Sequence, residues 1–200
     1  MNAVTLADVF NAVGLETRAL SNVDVSQFID SYTFRRAVSH LEKNRVVIIG
    51  GGTGRPFVTT DTAAVNLALE LKCDAIIKTT KVDGVYDKDP MQFPDAVKFD
   101  HISYDEALSN GDIQVMDKAA LGMALEDKKT LIICDLLTDG NIARAAAGDP
   151  VGTTISGYCY TGNDTEGSPS GLWRRPGKAV CGQLHRGFKS LSLRHNKKSC

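Results

Sequence analysis

Apolar positions recur through the first 156 residues with two alternating periods, and their order along the chain predicts the architecture. Val4, Leu6, Ala7, Val9, Phe10 and Val13 fall at helical spacing over residues 2–13, with Gly14 as the stop. A short extended segment, ETRALS, follows. Phe34, Ala37, Val38 and Leu41 recur at i, i+3, i+4 and i+7 and predict an amphipathic helix over 33–43. The β-branched run 46–49 then reads as a strand. Beyond it come a helix over 62–72, a strand over 75–78, a polar loop, and a short helix opened by a capping box of Ser103 and Glu106. A helix over 117–128, a strand over 131–134, a helix over 141–147 ending at Gly148 and a last edge strand over 152–155 complete the series. The run 131–134 is apolar throughout, as suits a strand covered on both faces. Strands alternating with helices in this way predict an α/β fold, a three-layer αβα sandwich around a mostly parallel sheet.

Residues 157–200 break the pattern. They hold seven glycines, scattered basic residues and no sustained apolar period. Residues 1–156 carry 15 Lys and Arg against 22 Asp and Glu, whereas 157–200 carry 8 against 2, so the change of charge marks a boundary at the same place. The expectation is a folded unit over 1–156 and a basic, glycine-rich, disordered or loosely attached tail over 157–200. Trp173 beside Arg174 and Arg175 is the one feature in the tail that suggests a nucleic-acid arm. The whole-chain charge of −1 argues against a general polyanion binder.

No apolar run approaches the roughly 20 residues that span a bilayer, and no secretory signal is evident at the start, so a cytoplasmic location is expected. Five cysteines, at 73, 134, 159, 181 and 200, form neither a CxxC pair nor a Cys/His set at zinc spacing. Cys73 and Cys134 lie in apolar segments and read as buried small hydrophobes.

Two stretches carry chemistry. The first, RVVIIGGGTGRPFVTTD, covers residues 45–61. It reads as strand, glycine-rich turn and helix N-terminus. Glycines bring backbone N–H groups close to a ligand, and the orphan N–H groups of a helix start add partial positive charge, so a phosphate fits there. A plain βα connection with Asp61 as N-cap explains the glycines equally well; the cluster of Thr53, Thr59, Thr60 and Asp61 favours a ligand. The second stretch, KTTKVDGVYDKDP, covers 78–90 and follows a buried strand. Asp83-Gly84 reads as a tight turn. A turn does not account for two lysines, two threonines, a tyrosine and Asp89 in one loop. In open α/β sheets ligands bind beyond the carboxyl ends of strands, so the loops after 49 and 78 are expected to face one cleft.

Taken together, GTGRPFVTTDTAA, KTTKVDGVYDKDP, YDEAL and VMDKAA resemble the bacterial-type UMP kinases (uridylate kinases) of the amino acid kinase superfamily. The resemblance runs from about residue 1 to 156. It implies the amino acid kinase fold, and transfer of a phosphoryl group from ATP with Mg2+ to UMP, a step of pyrimidine nucleotide biosynthesis. It places Thr53, Gly54, Arg55, Pro56, Phe57, Val58, Thr59 and Thr60 around UMP, and Thr80, Tyr86 and Asp89 on ATP. Asp61 takes the position of the aspartate that orients catalytic groups, and Lys81 approaches the donor phosphates. Such transfer needs positioning and charge stabilisation rather than a covalent intermediate. A homohexamer and response to GTP and UTP are further implications.

Two departures stand out. Arg55 replaces the asparagine usual after GTG. A lysine-containing glycine loop and a GGGN loop, which in the family precede the matched region and grip the ATP phosphates, are not found in these 200 residues. The fold is therefore expected to be incomplete at its N-terminus, and the chain alone inactive. Two other readings remain: an aspartate or glutamate kinase type, and a nucleotide-binding remnant without turnover.

Overall fold

The computed structural model describes residues 1–111, 113 and 115–157, together with the backbone of two strands at 179–184 and 191–194. The chain opens with α1 (Asn2–Ala12), β1 (Thr17–Ser21), β2 (Asp30–Ser31), α2 (Phe34–Leu41) and β3 (Val46–Gly50). It continues through α3 (Thr60–Glu70), β4 (Ala75–Thr80), a ribbon of β5 (Val85–Tyr86) and β6 (Lys98–Phe99), β7 (His101–Ser103) and α4 (Tyr104–Ser109). Then come α5 (Lys118–Glu126), β8 (Thr130–Asp135), α6 (Asn141–Ala147), β9 (Thr153–Ser156), β10 (Ala179–Leu184) and β11 (Leu191–Arg194).

The main sheet has the order β2-β1-β3-β11-β10-β4-β8-β9-β7. Pairings of β1 with β2 and β3, of β4 with β8 and β10, and of β7 with β9 are parallel. Strand β8 meets β9 antiparallel, and β11 runs antiparallel to both β10 and β3. The mostly parallel αβα expectation is met.

The period-two alternation of the strands explains the layers. On one face Val47, Ile49, Ile76, Leu131, Ile133 and Ile155 pack with Ala37 and Leu41 of α2, Val65 and Ala68 of α3, Ala107 of α4 and Leu121 of α5. On the other, Ile77, Ile132 and Cys134 pack with Ala145 of α6, and Val46 and Ile48 pack with Ala7 of α1. Each fully buried aliphatic side chain contributes about 1.5–3 kcal/mol. Burial also pushes the Cys134 thiol up to about 11, helped by the neighbouring Asp135 carboxylate, so this cysteine is an inert core residue.

The predicted capping box is present at α4: Ser103 accepts from the Glu106 N–H while the Glu106 carboxylate accepts from Ser103. Buried Tyr104 follows and donates its hydroxyl to the Lys129 carbonyl at 3.0 Å, joining α4 to the start of β8.

Two expectations need correction. Strand β9 is not an edge, because β7 pairs along its far side. The residues of β7, His-Ile-Ser, are too few and too mixed to show a period. Helix α3 starts at Thr60 rather than 62, because the Thr59 hydroxyl accepts from the Thr62 N–H and caps it. Asp61 is thus inside the first turn and not the cap. The predicted 157–200 tail lies mostly outside the described residues; the two stretches described within it are strands of the main sheet.

Candidate active site

Strand β3 is buried over Val46–Ile49 and delivers the chain into the glycine turn. Gly51, Gly52 and Gly54 all take left-handed backbone, with φ of +90°, +60° and +68°. At Gly51 a side chain is excluded twice over, because an added Cβ would lie 3.0 Å from the Val23 backbone nitrogen. The turn is held from outside by Asn22, whose N–H donates to the Gly50 carbonyl at 2.9 Å and whose amide donates to the Gly52 carbonyl at 2.5 Å. Thr53 accepts from the Arg55 N–H at 3.2 Å and braces the turn locally. Residues 54–60 are all exposed. Phe57 is extreme: fully exposed, with a left-handed φ of +62° that a bulky side chain rarely adopts. Its ring stands clear of the protein as an open apolar face. The Thr59–Thr60 pair then opens α3.

Beneath this turn lies the feature that organises the site. Lys78, on the buried strand β4, donates its ammonium to Asp61 Oδ2 at 2.8 Å and to the Val115 carbonyl at 2.7 Å. The two side chains are 8% and 16% exposed, so this is a buried ion pair. Asp61 sits in the first turn of α3, where the helix N-terminus favours negative charge. The glycine turn and the 78–90 loop are thereby joined at their roots. Sequence reasoning placed Lys78 in the loop motif without giving it a role, and put Lys81 beside the donor phosphates; Lys81 is exposed at the start of the loop. The available signal was the polar residue ending an apolar strand run, Ala75 to Ile77.

A second residue without an assigned role is Asp117, the N-cap of α5. Its carboxylate accepts from the Ala120 N–H at 2.9 Å, from the Thr62 hydroxyl at 3.1 Å and from the Thr59 hydroxyl. Burial pushes this carboxyl up, but the donors from Thr59, Ala120, Thr62 and Ala119 outweigh burial and hold it below its ordinary range.

The other loop forms a cavity of about 840 Å³, lined among others by Val82, Gly84, Tyr86, Asp89, Phe93 and Gly111. That volume suits a nucleotide-sized ligand. Tyr86 and Asp89 are therefore on its wall. Tyr86 donates its hydroxyl to Asp83 at 2.6 Å, and this bond, with Lys98 at 3.1 Å, holds the Asp83 carboxyl below its usual range despite partial burial. Thr80 instead shapes the loop entrance, donating to the Val82 carbonyl at 2.6 Å and accepting from the Val82 N–H at 3.2 Å.

The cavity wall is pinned to β9 through Thr153. Its hydroxyl accepts from the Val85 N–H at 2.8 Å and donates to the Phe99 carbonyl at 2.5 Å, so one side chain serves both strands of the ribbon. An added Cβ at Gly84 would lie 2.6 Å from that hydroxyl and 2.9 Å from Lys98 Cε. Gly84→Ala is expected to destabilise by about 1–3 kcal/mol through overpacking. Thr153→Val should cost a similar amount, by removing the hydroxyl that serves the Val85 N–H and the Phe99 carbonyl together. Urea unfolding checks both, and wild-type midpoints would contradict them.

The amino acid kinase family model matches residues 1–135. Among solved structures, a UMP kinase from Bacillus anthracis is 33% identical over 79% of this chain and 65% of its own, with a TM-score of 0.75. A UMP kinase from Ureaplasma parvum is 28% identical over 78% and 66%, with a TM-score of 0.72. The chain thus spans just under two thirds of the length of each. An aspartate kinase from Synechocystis is 22% identical over 78% of this chain and 27% of its own, with a TM-score of 0.57, a likeness of fold alone.

Proposed function

The chain belongs to the amino acid kinase family, and from that premise we propose that it is a UMP kinase unit, which receives UMP at the glycine turn and ATP in the cavity of the 78–90 loop. The single observation that carries this reading is the buried Lys78–Asp61 pair, set between the two loops. Backbone N–H groups of the turn and the N-terminus of α3, with the Thr59–Thr60 hydroxyls, suit the acceptor phosphate. The open ring of Phe57 suits the acceptor base. Tyr86 and Asp89 on the cavity wall suit the donor nucleotide. Lys78, held by Asp61 and Val115, suits a fixed positive charge for the group in transfer, and such preorganised charge is the main catalytic device in phosphoryl transfer.

No three His, Cys, Asp or Glu side chains converge among the described residues. Magnesium commonly binds through one or two carboxylates together with nucleotide phosphates, so here it belongs to the substrate, as MgATP.

Calorimetric titration with UMP, CMP, aspartate and glutamate tests the acceptor. UMP is expected to bind and the two amino acids are not; preference for either amino acid overturns the reading. ADP release from MgATP and UMP, followed in parallel, separates an active enzyme from a nucleotide-binding unit without turnover.

A further inference from the structure

The hydroxyl of Thr59 has one proton to donate, and in this structure Asp117 takes it. Thr59 Oγ1 also accepts from the Thr62 N–H at 3.2 Å as the cap of α3. Asp117 Oδ2, on the N-cap of α5, is the acceptor for that proton and also receives the Thr62 hydroxyl at 3.1 Å. The N-termini of α3 and α5, two places where negative charge is favoured, therefore converge on one carboxylate. Thr59 is exposed and stands in the turn assigned above to the acceptor phosphate.

We propose that Asp117 is a positioning residue that competes with the acceptor phosphate for the Thr59 hydroxyl, so that it sets how tightly the turn holds a phosphate. The inference rests on the assignment of this turn to the acceptor. A hydroxyl donates one hydrogen bond and accepts up to two. While Asp117 is ionised, it is acceptor-only, and a phosphate gains the Thr59 proton only by taking it from the carboxylate. One anion displaces another at that proton, which blunts the gain in affinity. The remaining donors to Asp117, from Thr62 and the Ala120 N–H, keep the carboxylate in place when the exchange occurs.

Asp117→Asn tests this with little disturbance, because asparagine caps helices as well as aspartate. The amide oxygen still accepts from the Ala120 N–H, while the amide nitrogen donates to Thr59 Oγ1. That reverses the polarity of the contact and releases the Thr59 proton toward the ligand. The expected result is UMP binding tightened about tenfold, the lower end of what a hydrogen bond to a charged group contributes, with uridine affinity unchanged. In a Thr59→Ala background the gain should vanish.

Inorganic phosphate, titrated alongside, separates this inference from the acceptor assignment. A gain for phosphate with no binding of UMP sinks the assignment and keeps the competition. Equal or weaker phosphate and UMP binding by Asp117→Asn overturns the inference, as does absence of phosphate and UMP binding in both proteins. A gain that persists in the Thr59→Ala background also overturns it, since charge alone then explains the effect.

Discussion

Asp61→Ala is expected to cost about 3–5 kcal/mol of stability, because it strands the Lys78 ammonium inside the protein without its counter-ion. Lys78 is 8% exposed at its side chain, and its backbone is fixed on β4, where its neighbours Ile77 and Thr79 are locked between β8 and β10. The carbonyl of Val115 would remain as a partner but carries no charge. The reverse change, Lys78→Met, should cost less, about 1–2 kcal/mol, since Asp61 is left in the first turn of α3 where the helix dipole offsets part of its charge. The double change Asp61→Asn with Lys78→Met removes both charges, and replacement of a buried pair in this way is often neutral. It should therefore recover most of the stability that Asp61→Ala loses. Affinity for UMP and ATP should not recover with it. Urea unfolding and calorimetry on the same three proteins read both quantities. If binding returns with stability in the double variant, the pair is a structural brace and not part of the site.

That separation bears on what the sequence could show. The strand and helix order was legible because β3, β4 and β8 are buried on both faces and therefore read as unbroken apolar runs. The capping box at Ser103 and the stop at Gly148, with φ of +90°, were legible for local reasons. Edge strand β7 and the β5–β6 ribbon were not, because two or three residues carry no period, and the partner of β7 lies far along the chain. The same limit applies to the site. Thr59, Thr60 and Asp61 announce themselves beside the glycines. Asp117 lies 58 residues from Thr59 and reads as an ordinary helix cap until α3 and α5 are brought together. Lys78 reads as the polar end of a strand. Only the fold shows that its ammonium turns back under the turn to meet Asp61, and that Lys81, the more prominent lysine of the motif, stays in solvent.

Gly152→Ala is expected to damage the fold as much as Asp61→Ala, by a steric route. Gly152 precedes β9 and has a left-handed φ of +69°. An added Cβ there would lie 1.8 Å from the Ile133 carbonyl oxygen and 2.9 Å from Cys134 Cα, both backbone atoms of the buried strand β8. Nothing at that point can rotate away, so β9 itself must shift from the register that pairs Thr153 with Ile133. Left-handed strain and overpacking together suggest a loss of about 3–5 kcal/mol. Two further glycines separate the contributions. Gly140 has a φ of +79° with open space at its Cβ, so Gly140→Ala should show the backbone strain alone, about 1–2 kcal/mol. Gly122 lies inside α5 with open space, so Gly122→Ala should stabilise by about 0.8–1 kcal/mol through helix propensity. Displacement of β9 also moves Thr153, the residue that pins both strands of the ribbon along the cavity wall. Gly152→Ala should therefore weaken ATP binding more than Gly140→Ala does at matched temperature below both unfolding transitions. Urea midpoints for the three variants, with ATP titration of the first two, test the ordering; equal midpoints for Gly152→Ala and Gly140→Ala would refute the steric account.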